Sequence, residues 1–155
     1  MNKTDVVTSY GHPSYDDIHE ECLNIVELLL QSDTKFDCIV GLSRGGLIPG
    51  VIISHLLKIP LITISFSAEQ GEGKTKEVTD SFLLPIIPHT NILIVDDICD
   101  SGHTLHQVTS YYEDLGHNVN TYAIYCKQIN NQIHYPMYSI GLDKDSEWIY
   151  FPWEF

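Results

Sequence analysis

Two adjacent carboxylates, Asp96 and Asp97, stand at the end of an apolar run, Ile92-Leu93-Ile94-Val95. An acid pair in that place suits two tasks: accepting hydrogen bonds from a vicinal diol, or holding Mg2+ through oxygen. Shortly after it, Asp100-Ser101-Gly102-His103-Thr104 forms a polar turn ahead of a helix. The free N–H groups of that turn, with the Ser101 and Thr104 hydroxyls, would cradle a terminal phosphate. One contiguous stretch thus offers a diol site and a phosphate site, which is the chemistry of a ribose 5-phosphate. Simple helix capping by Asp100 or Ser101 would account for one residue, but not for the acid pair as well.

A second polar turn lies upstream. The chain has one arginine, Arg44, and it sits in Ser43-Arg44-Gly45-Gly46 between an apolar run and a helical stretch. The glycines permit close backbone approach. The following helix offers unpaired N–H groups and the positive end of its dipole. An arginine beside those donors makes a site for a polyanion such as pyrophosphate. An ordinary turn with a surface arginine is the plain alternative.

The elements that must carry these turns are legible from apolar spacing. Ser14 to Leu30 reads as a helix, with Ser14 and Asp17 as an N-terminal cap and Ile18, Cys22, Ile25, Val26, Leu29 and Leu30 on one face. Cys38 to Leu42 reads as a buried strand, 47–57 as a helix and Leu61 to Phe66 as another strand. Residues 67–81 break the pattern as a long polar loop, of the kind that is usually functional or mobile. Ile92 to Val95 is a strand ending in the acid pair. A helix spans about 105–115 and stops at Gly116. Thr121 to Cys126 is a strand ending at Lys127, and the tail from Met137 alternates apolar residues with two tryptophans. Buried strands alternating with helices predict an α/β class with a mostly parallel sheet. In such sheets ligands bind beyond the carboxyl ends of the strands, and each of the polar turns, the loop and Lys127 falls there.

The 155 residues are expected to form one domain over 1–155. With 21 Asp+Glu against 8 Lys+Arg the formal charge is −13, which argues against binding nucleic-acid backbones or anionic membranes. No apolar run approaches the ~20 residues of a membrane span, and the N-terminal residues lack a signal-peptide core. The four cysteines are scattered without a CxxC pair and read as reduced thiols in a cytoplasmic protein.

ILIVDDICDSGHT resembles the phosphoribosyl-pyrophosphate motif of type I phosphoribosyltransferases: an apolar strand, two acidic residues, then D-[ST]-G-x-T. GLSRGGLIPG resembles that family's pyrophosphate loop. SRGGLIPG and the closing EWIYFPWEF are similar to the bacterial xanthine-guanine (6-oxopurine) phosphoribosyltransferases, and the resemblance runs from about residue 15 to 155. It implies the type I fold: a mostly parallel central sheet flanked by helices, a flexible hood loop over about 67–85, and a small base-binding tail over about 127–155. It also implies an activity, Mg2+-dependent transfer of 5-phosphoribosyl from phosphoribosyl pyrophosphate to guanine, xanthine or hypoxanthine in purine salvage. The products would be the nucleoside monophosphate and pyrophosphate.

The resemblance assigns roles to matching residues. Asp96 and Asp97 would bind the ribose hydroxyls, with Mg2+ near Asp97. Asp100, Ser101, Gly102, His103 and Thr104 would wrap the 5-phosphate, Asp100 also lying near the purine as a proton acceptor. Ser43, Arg44 and Gly45 would hold pyrophosphate, Arg44 stabilising the leaving group, with Lys74 and Lys76 closing over it from the hood. Lys127 would contact the purine 6-oxygen, Trp148 would stack on the base, and Ile149 would meet its 2-position through the backbone. Homodimers or homotetramers are usual in the family.

Two positions depart from the pattern. His103 stands where Gly, Arg or Lys is common, and Glu154 stands where aspartate is expected near the base. Three other readings compete less well. AEQGEGKT, over 68–75, matches a relaxed NTPase phosphate loop, but the residues after it lack the apolar periodicity of the helix such a loop opens. A non-catalytic phosphoribosyl-pyrophosphate-binding regulator would usually carry a nucleic-acid module, and the charge is wrong for one. His103 and His106 could pair on a metal, but no third ligand stands near them in sequence.

Overall fold

The computed structural model describes residues 11–66, 78–79, 90–130 and 132–155. Helix α1 (Tyr15–Gln31) starts where the cap is expected: the Asp17 N–H donates to Ser14 Oγ at 3.2 Å, and the Ser14 N–H donates back to the Asp17 carboxylate at 2.7 Å. Those two bonds satisfy donors that the first helical turn leaves free. Strand β1 (Cys38–Ser43), helix α2 (Leu47–Leu57) and strand β2 (Leu61–Phe66) follow. Strand β4 (Asn91–Cys99), helix α3 (His103–Asp114) and strand β5 (Asn118–Gln128) carry the next half, and β6 (Tyr138–Asp143) closes the sheet. A two-residue strand, β3 (Val78–Thr79), pairs antiparallel with the end of β2. It lies inside the stretch that the sequence reads as unbroken loop, a correction that a two-residue pairing could not announce by periodicity.

The sheet order is β3-β2-β1-β4-β5-β6, and all pairings but β2 with β3 are parallel. Alternation along the strands sorts the side chains. Ile39, Leu93 and Val95 point to the face covered by α1 and α2; Val40, Leu42, Ile92 and Ile94 point to the face covered by α3, against Leu105, Val108 and Tyr112. The order reverses between β1 and β4, so the turns after these adjacent strands open side by side at the carboxyl edge. The tail returns to the α1 and α2 face, where buried Ile149 and Phe151 join the core and Phe151 stacks on Trp153 at 4.8 Å.

Helix α2 lies unusually close to β1 because glycines line the contact. A Cβ at Gly46 would strike the Val95 carbonyl and stand 2.8 Å from the Leu42 N and O atoms, all backbone. A Cβ at Gly50 would press on the Leu61 side chain at 3.2 Å and meet the Gly41 Cα only at an ordinary 3.6 Å. Backbone cannot yield as a leucine methyl can. Gly46→Ala is therefore expected to cost ~3 kcal/mol and Gly50→Ala ~1 kcal/mol or less, as overpacking against rigid and soft neighbours does. Urea unfolding midpoints of the two variants check the order; equal losses would show that α2 simply slides outward.

Candidate functional site

The acid pair is not beyond its strand but inside it. β4 continues to Cys99, so Asp96 and Asp97 are strand residues where the sequence places a strand end. The reason is visible in their side chains. Asp96 Oδ1 accepts the Asp97 N–H at 3.0 Å, and Asp97 Oδ1 accepts the Ile98 N–H at 2.7 Å. These local bonds compete with the ladder. The inside-outside alternation slips there, since Val95 and Ile98 pack on the same face, and it slips on β5 as well, where Ile124 and Tyr125 share a face. Beyond the slip the strands resume paired, Ile98 with Tyr125 and Cys99 with Cys126.

Burial pushes the Asp96 carboxyl well above its ordinary value, and the Asp97 charge raises it further. Asp97 is raised too, chiefly by burial. A partly buried pair of like charges favours an added cation or donors. Asp97 faces the upstream turn: a Cβ at Gly45 would collide with its carboxylate. The upstream turn and the acid pair, read separately in the sequence, are thus in contact. In the upstream turn the Gly46 N–H donates to the Leu42 carbonyl at 2.8 Å, Ser43 Oγ donates to Ser65 Oγ at 3.0 Å, and Arg44 is exposed. The Ser43–Arg44 peptide is cis.

The downstream turn encloses a cavity of about 100 Å3 lined by Asp96, Ile98 and Cys99 through Leu105. Helix α3 begins at His103, so His103 and Thr104 are its first residues and not part of the turn as the sequence suggests. Gly102 precedes it with φ 81°, a left-handed conformation, which frees the helix N-terminus without a side chain in the way. His103 Nδ1 lies 2.9 Å from Ser101 Oγ.

The third part of the site meets the second through Asp100. Lys127, nearly buried, holds its ammonium 3.5 Å from the exposed Asp100 carboxylate. The same ammonium lies 4.9 Å from the centre of the Trp148 ring. Trp148 is 46% exposed, whereas the Ile149 side chain is buried in the core and offers only its backbone to a ligand. Glu154 does not project freely: its carboxylate accepts the Phe151 N–H at 2.9 Å and closes the last turn of the tail. Its charge also reaches Asp97. Lys74, Lys76 and the NTPase-like 68–75 lie outside the described residues.

Sequence reasoning misses the segment that braces the phosphate turn. The Ile133 N–H donates to the Ser101 carbonyl at 3.3 Å, and a Cβ at Gly102 would strike the His134 backbone. His134 in turn lies 3.0 Å from Thr121 Oγ1 and accepts from Cys99 Sγ on its carbonyl at 3.6 Å. Gln132 Nε2 donates to both Cys99 Sγ and Cys126 Sγ at 3.2 Å. The available signal was position: Cys99 and Cys126 each stand one residue before a candidate site residue, on strands that a parallel reading makes neighbours.

Fold and site together define an α/β protein with two glycine-bearing polar turns at the carboxyl edge of a mostly parallel sheet. Residues 14–155 match the family model for the phosphoribosyl transferase domain, and the chain belongs to that family. It is 32% identical to a xanthine-guanine phosphoribosyltransferase of Roseobacter denitrificans, over 92% of this chain and 84% of that one. A protein of the same description from a Ruegeria species is 30% identical over the same shares. The crystal structure of a purine phosphoribosyltransferase from Pyrococcus horikoshii superposes with a TM-score of 0.78 at 28% identity, covering 92% of each chain.

The raised carboxyls carry a test of their own. A carboxyl whose native pKa is raised favours the native state most when protonated; that contribution is present in acid and lost as pH climbs through the raised value. Asp96→Asn removes the charge and keeps the acceptor for the Asp97 N–H. In Mg2+-free buffer the variant is expected to melt ~2–4 °C above the parent near neutral pH, the shift that ~1 kcal/mol gives in a domain this size. The gap should narrow as pH falls through the raised value and close below about pH 4, where the unfolded carboxyl is protonated as well. Calorimetry at the two pH values decides it, and a gap that widens in acid would contradict the burial argument.

Proposed function

We propose that the protein is a 6-oxopurine phosphoribosyltransferase of purine salvage. It would move the 5-phosphoribosyl group of phosphoribosyl pyrophosphate onto guanine, xanthine or hypoxanthine and release pyrophosphate. The observation that carries the reading is the contact chain Asp97 to Gly45 and Asp100 to Lys127 to Trp148. In this reading those contacts would gather an anion turn, a diol-binding acid pair, a phosphate-sized cavity and a cation-aromatic base slot along one sheet edge. The names of the relatives support the base class.

In this reading the cavity of residues 100–104 takes the 5-phosphate and the acid pair takes the ribose hydroxyls. Ser43, Arg44 and Gly45 take the pyrophosphate, with Lys74 and Lys76 closing over it. Mg2+ fits the acid pair: the donors are hard carboxylate oxygens, held close and short of positive charge. Among the described residues no group of three or more His, Cys, Asp or Glu side chains could hold a metal. That suits an ion that keeps waters and substrate oxygens as its other ligands. Asp97 would hold it, and when bound it neutralises charge on the diphosphate.

As the bond from ribose to pyrophosphate breaks, the anomeric carbon gains oxocarbenium character. Arg44 and the backbone donors of its turn stabilise the departing oxygen. The purine, laid on Trp148 with its 6-oxygen toward Lys127, attacks from the opposite side. The Asp100 carboxylate accepts the proton that the purine nitrogen gives up. For that, Lys127 must exchange Asp100 and the Trp148 face for the base. Their contact in the free protein keeps both groups oriented while costing little to break, since Asp100 is largely solvated. A homodimer or homotetramer goes with this reading, and light scattering of the purified protein checks the mass; Leu30, expected on the buried face of α1, is 71% exposed because it lies off that face beside Leu29.

Incubation with phosphoribosyl pyrophosphate, Mg2+ and each of guanine, xanthine, hypoxanthine and adenine is the primary test. Mg2+-dependent conversion of a 6-oxopurine, with adenine left untouched, is the expected result. Turnover of adenine alone, or of no base, overturns the proposal. Within an active protein, Asp100→Asn is expected to lower kcat by on the order of 100-fold, the worth of a positioned general base. Phosphoribosyl-pyrophosphate affinity should stay within about threefold, because the turn binds phosphate mainly through its amides. Equal losses in both would remove Asp100 from the proton step. Lys127→Met should instead raise KM for the base by ~10–100-fold, the loss of a hydrogen bond from a charged donor.

A further inference from the structure

Cys99 and Cys126 are direct register partners on adjacent parallel strands, and both side chains enter the core on the α3 face. Neighbouring strands lie about 4.8 Å apart, inside the Cα separation that a disulfide spans without moving backbone. One amide nitrogen, Gln132 Nε2, reaches both sulfurs at 3.2 Å. They are free thiols in the structure, as are Cys22 and Cys38. Cys22 lies on the opposite face of the sheet, and Cys38 is at the far, amino end of β1.

Both residues are only 2% exposed, yet Cys99 lines the cavity of about 100 Å3 under the turn before α3. A small neutral oxidant can reach it there when no ligand fills the turn. We propose that Cys99 and Cys126 form a modification site: a hydroperoxide oxidises the pair to a disulfide that locks together the strand ends bearing Asp100 and Lys127. The chemistry balances with hydrogen peroxide as the oxidant. The Cys99 sulfur attacks one peroxide oxygen, an S–O bond forms as the O–O bond breaks, and the departing hydroxide leaves as water with the thiol proton. The Cys126 sulfur then attacks the sulfenic sulfur. The S–S bond forms as the S–O bond breaks, and a second water carries off the Cys126 proton. Two thiols lose two electrons and one peroxide gains them.

The consequence for catalysis follows from position and rests on the proposed function. Asp100 and Lys127 each stand one residue beyond a bridged cysteine, and their ammonium-carboxylate contact is 3.5 Å. Closing the bridge draws the sulfurs off Gln132 and off the His134 carbonyl that braces Gly102, so the proton acceptor, the base-binding lysine and the phosphate turn all shift. Displacements of that kind near reacting atoms cost on the order of 10–100-fold in rate.

The test treats the intact protein with hydrogen peroxide, quenches it into denaturant with an alkylating agent, and maps the digest by mass spectrometry. The expected product is one cross-linked pair, Cys99 with Cys126, about two mass units lighter than the free peptides and reversed by dithiothreitol. Cys22 and Cys38 should remain alkylated. In Cys126→Ala the same treatment should leave Cys99 as sulfinic or sulfonic acid, because no partner resolves it. Wild-type Cys99 and Cys126 that both alkylate, or that overoxidise without cross-linking, overturn the site. A cross-link with transfer activity unchanged overturns its coupling to catalysis. Should the untreated protein transfer nothing to any purine, the proposed function fails, and the cross-link map still decides the thiol pair by itself.

Discussion

Among the described glycines, the tightest approach is that of the Asp97 carboxylate to Gly45. No side chain fits at residue 45 while that carboxylate stands where it does. Much of the site follows from this. Gly45 belongs to the turn that opens α2, and α2 can stand that near only because Gly46 lies against the Val95 carbonyl. Val95 belongs to the same strand as Asp97. Glycine packing between helix and strand is therefore what sets the separation between the anion turn and the acid pair. A ligand with a diol and a diphosphate on neighbouring atoms needs just such a short separation.

The electrostatics take their sense from the same crowding. The protein is acidic overall, at −13, and places two carboxyls partly out of water beside one another. Left alone that arrangement costs stability, which is why both carboxyls are raised. It becomes favourable when cationic charge or hydroxyl donors arrive, so part of the binding energy for a ligand comes from relieving the free protein. Arg44 and Lys127 sit on either flank. Cationic side chains are scarce in the chain, and these stand at the edge where polyanions would enter.

Much of this was legible in the sequence because each element is consistent at several levels. Helix α2 occupies the expected 47–57, and β2 the expected 61–66, since apolar runs bounded by Gly, Pro and polar turns admit few other readings. The polar turns, Asp100, Lys127 and Trp148 fell at the carboxyl edge as a parallel sheet demands. What the sequence hid was local competition. An Asp-Asp pair looks like a strand terminus by propensity, yet its side chains bond the next N–H groups and let the strand resume after a slip. The start of α3 was misplaced by two residues because Gly102 ends the turn through a left-handed φ, which permits a cap with no capping side chain. The brace formed by residues 132–134 has no periodicity at all; its partners are backbone atoms, sulfur and the Thr121 hydroxyl.

That brace explains why the phosphate turn keeps its shape in a protein whose α3 has no side-chain cap. A helix N-terminus opened by a positive-φ glycine leaves its N–H groups free for an anion, but the turn before it then lacks internal support. Here the support comes from across the sheet. Ile133 donates to Ser101, the His134 backbone fills the space that Gly102 leaves, and Thr121 on β5 lies within hydrogen-bonding distance of the His134 ring. The turn that would hold phosphate and the strand that carries Lys127 thus share one set of contacts. Burial and the His106 charge hold the His134 imidazole below its ordinary pKa, so this contact stays neutral and hydrogen-bonded at neutral pH. The turn before α3 is consequently tied to β5 by groups that carry no charge of their own, and the charges at this edge are left out of that brace.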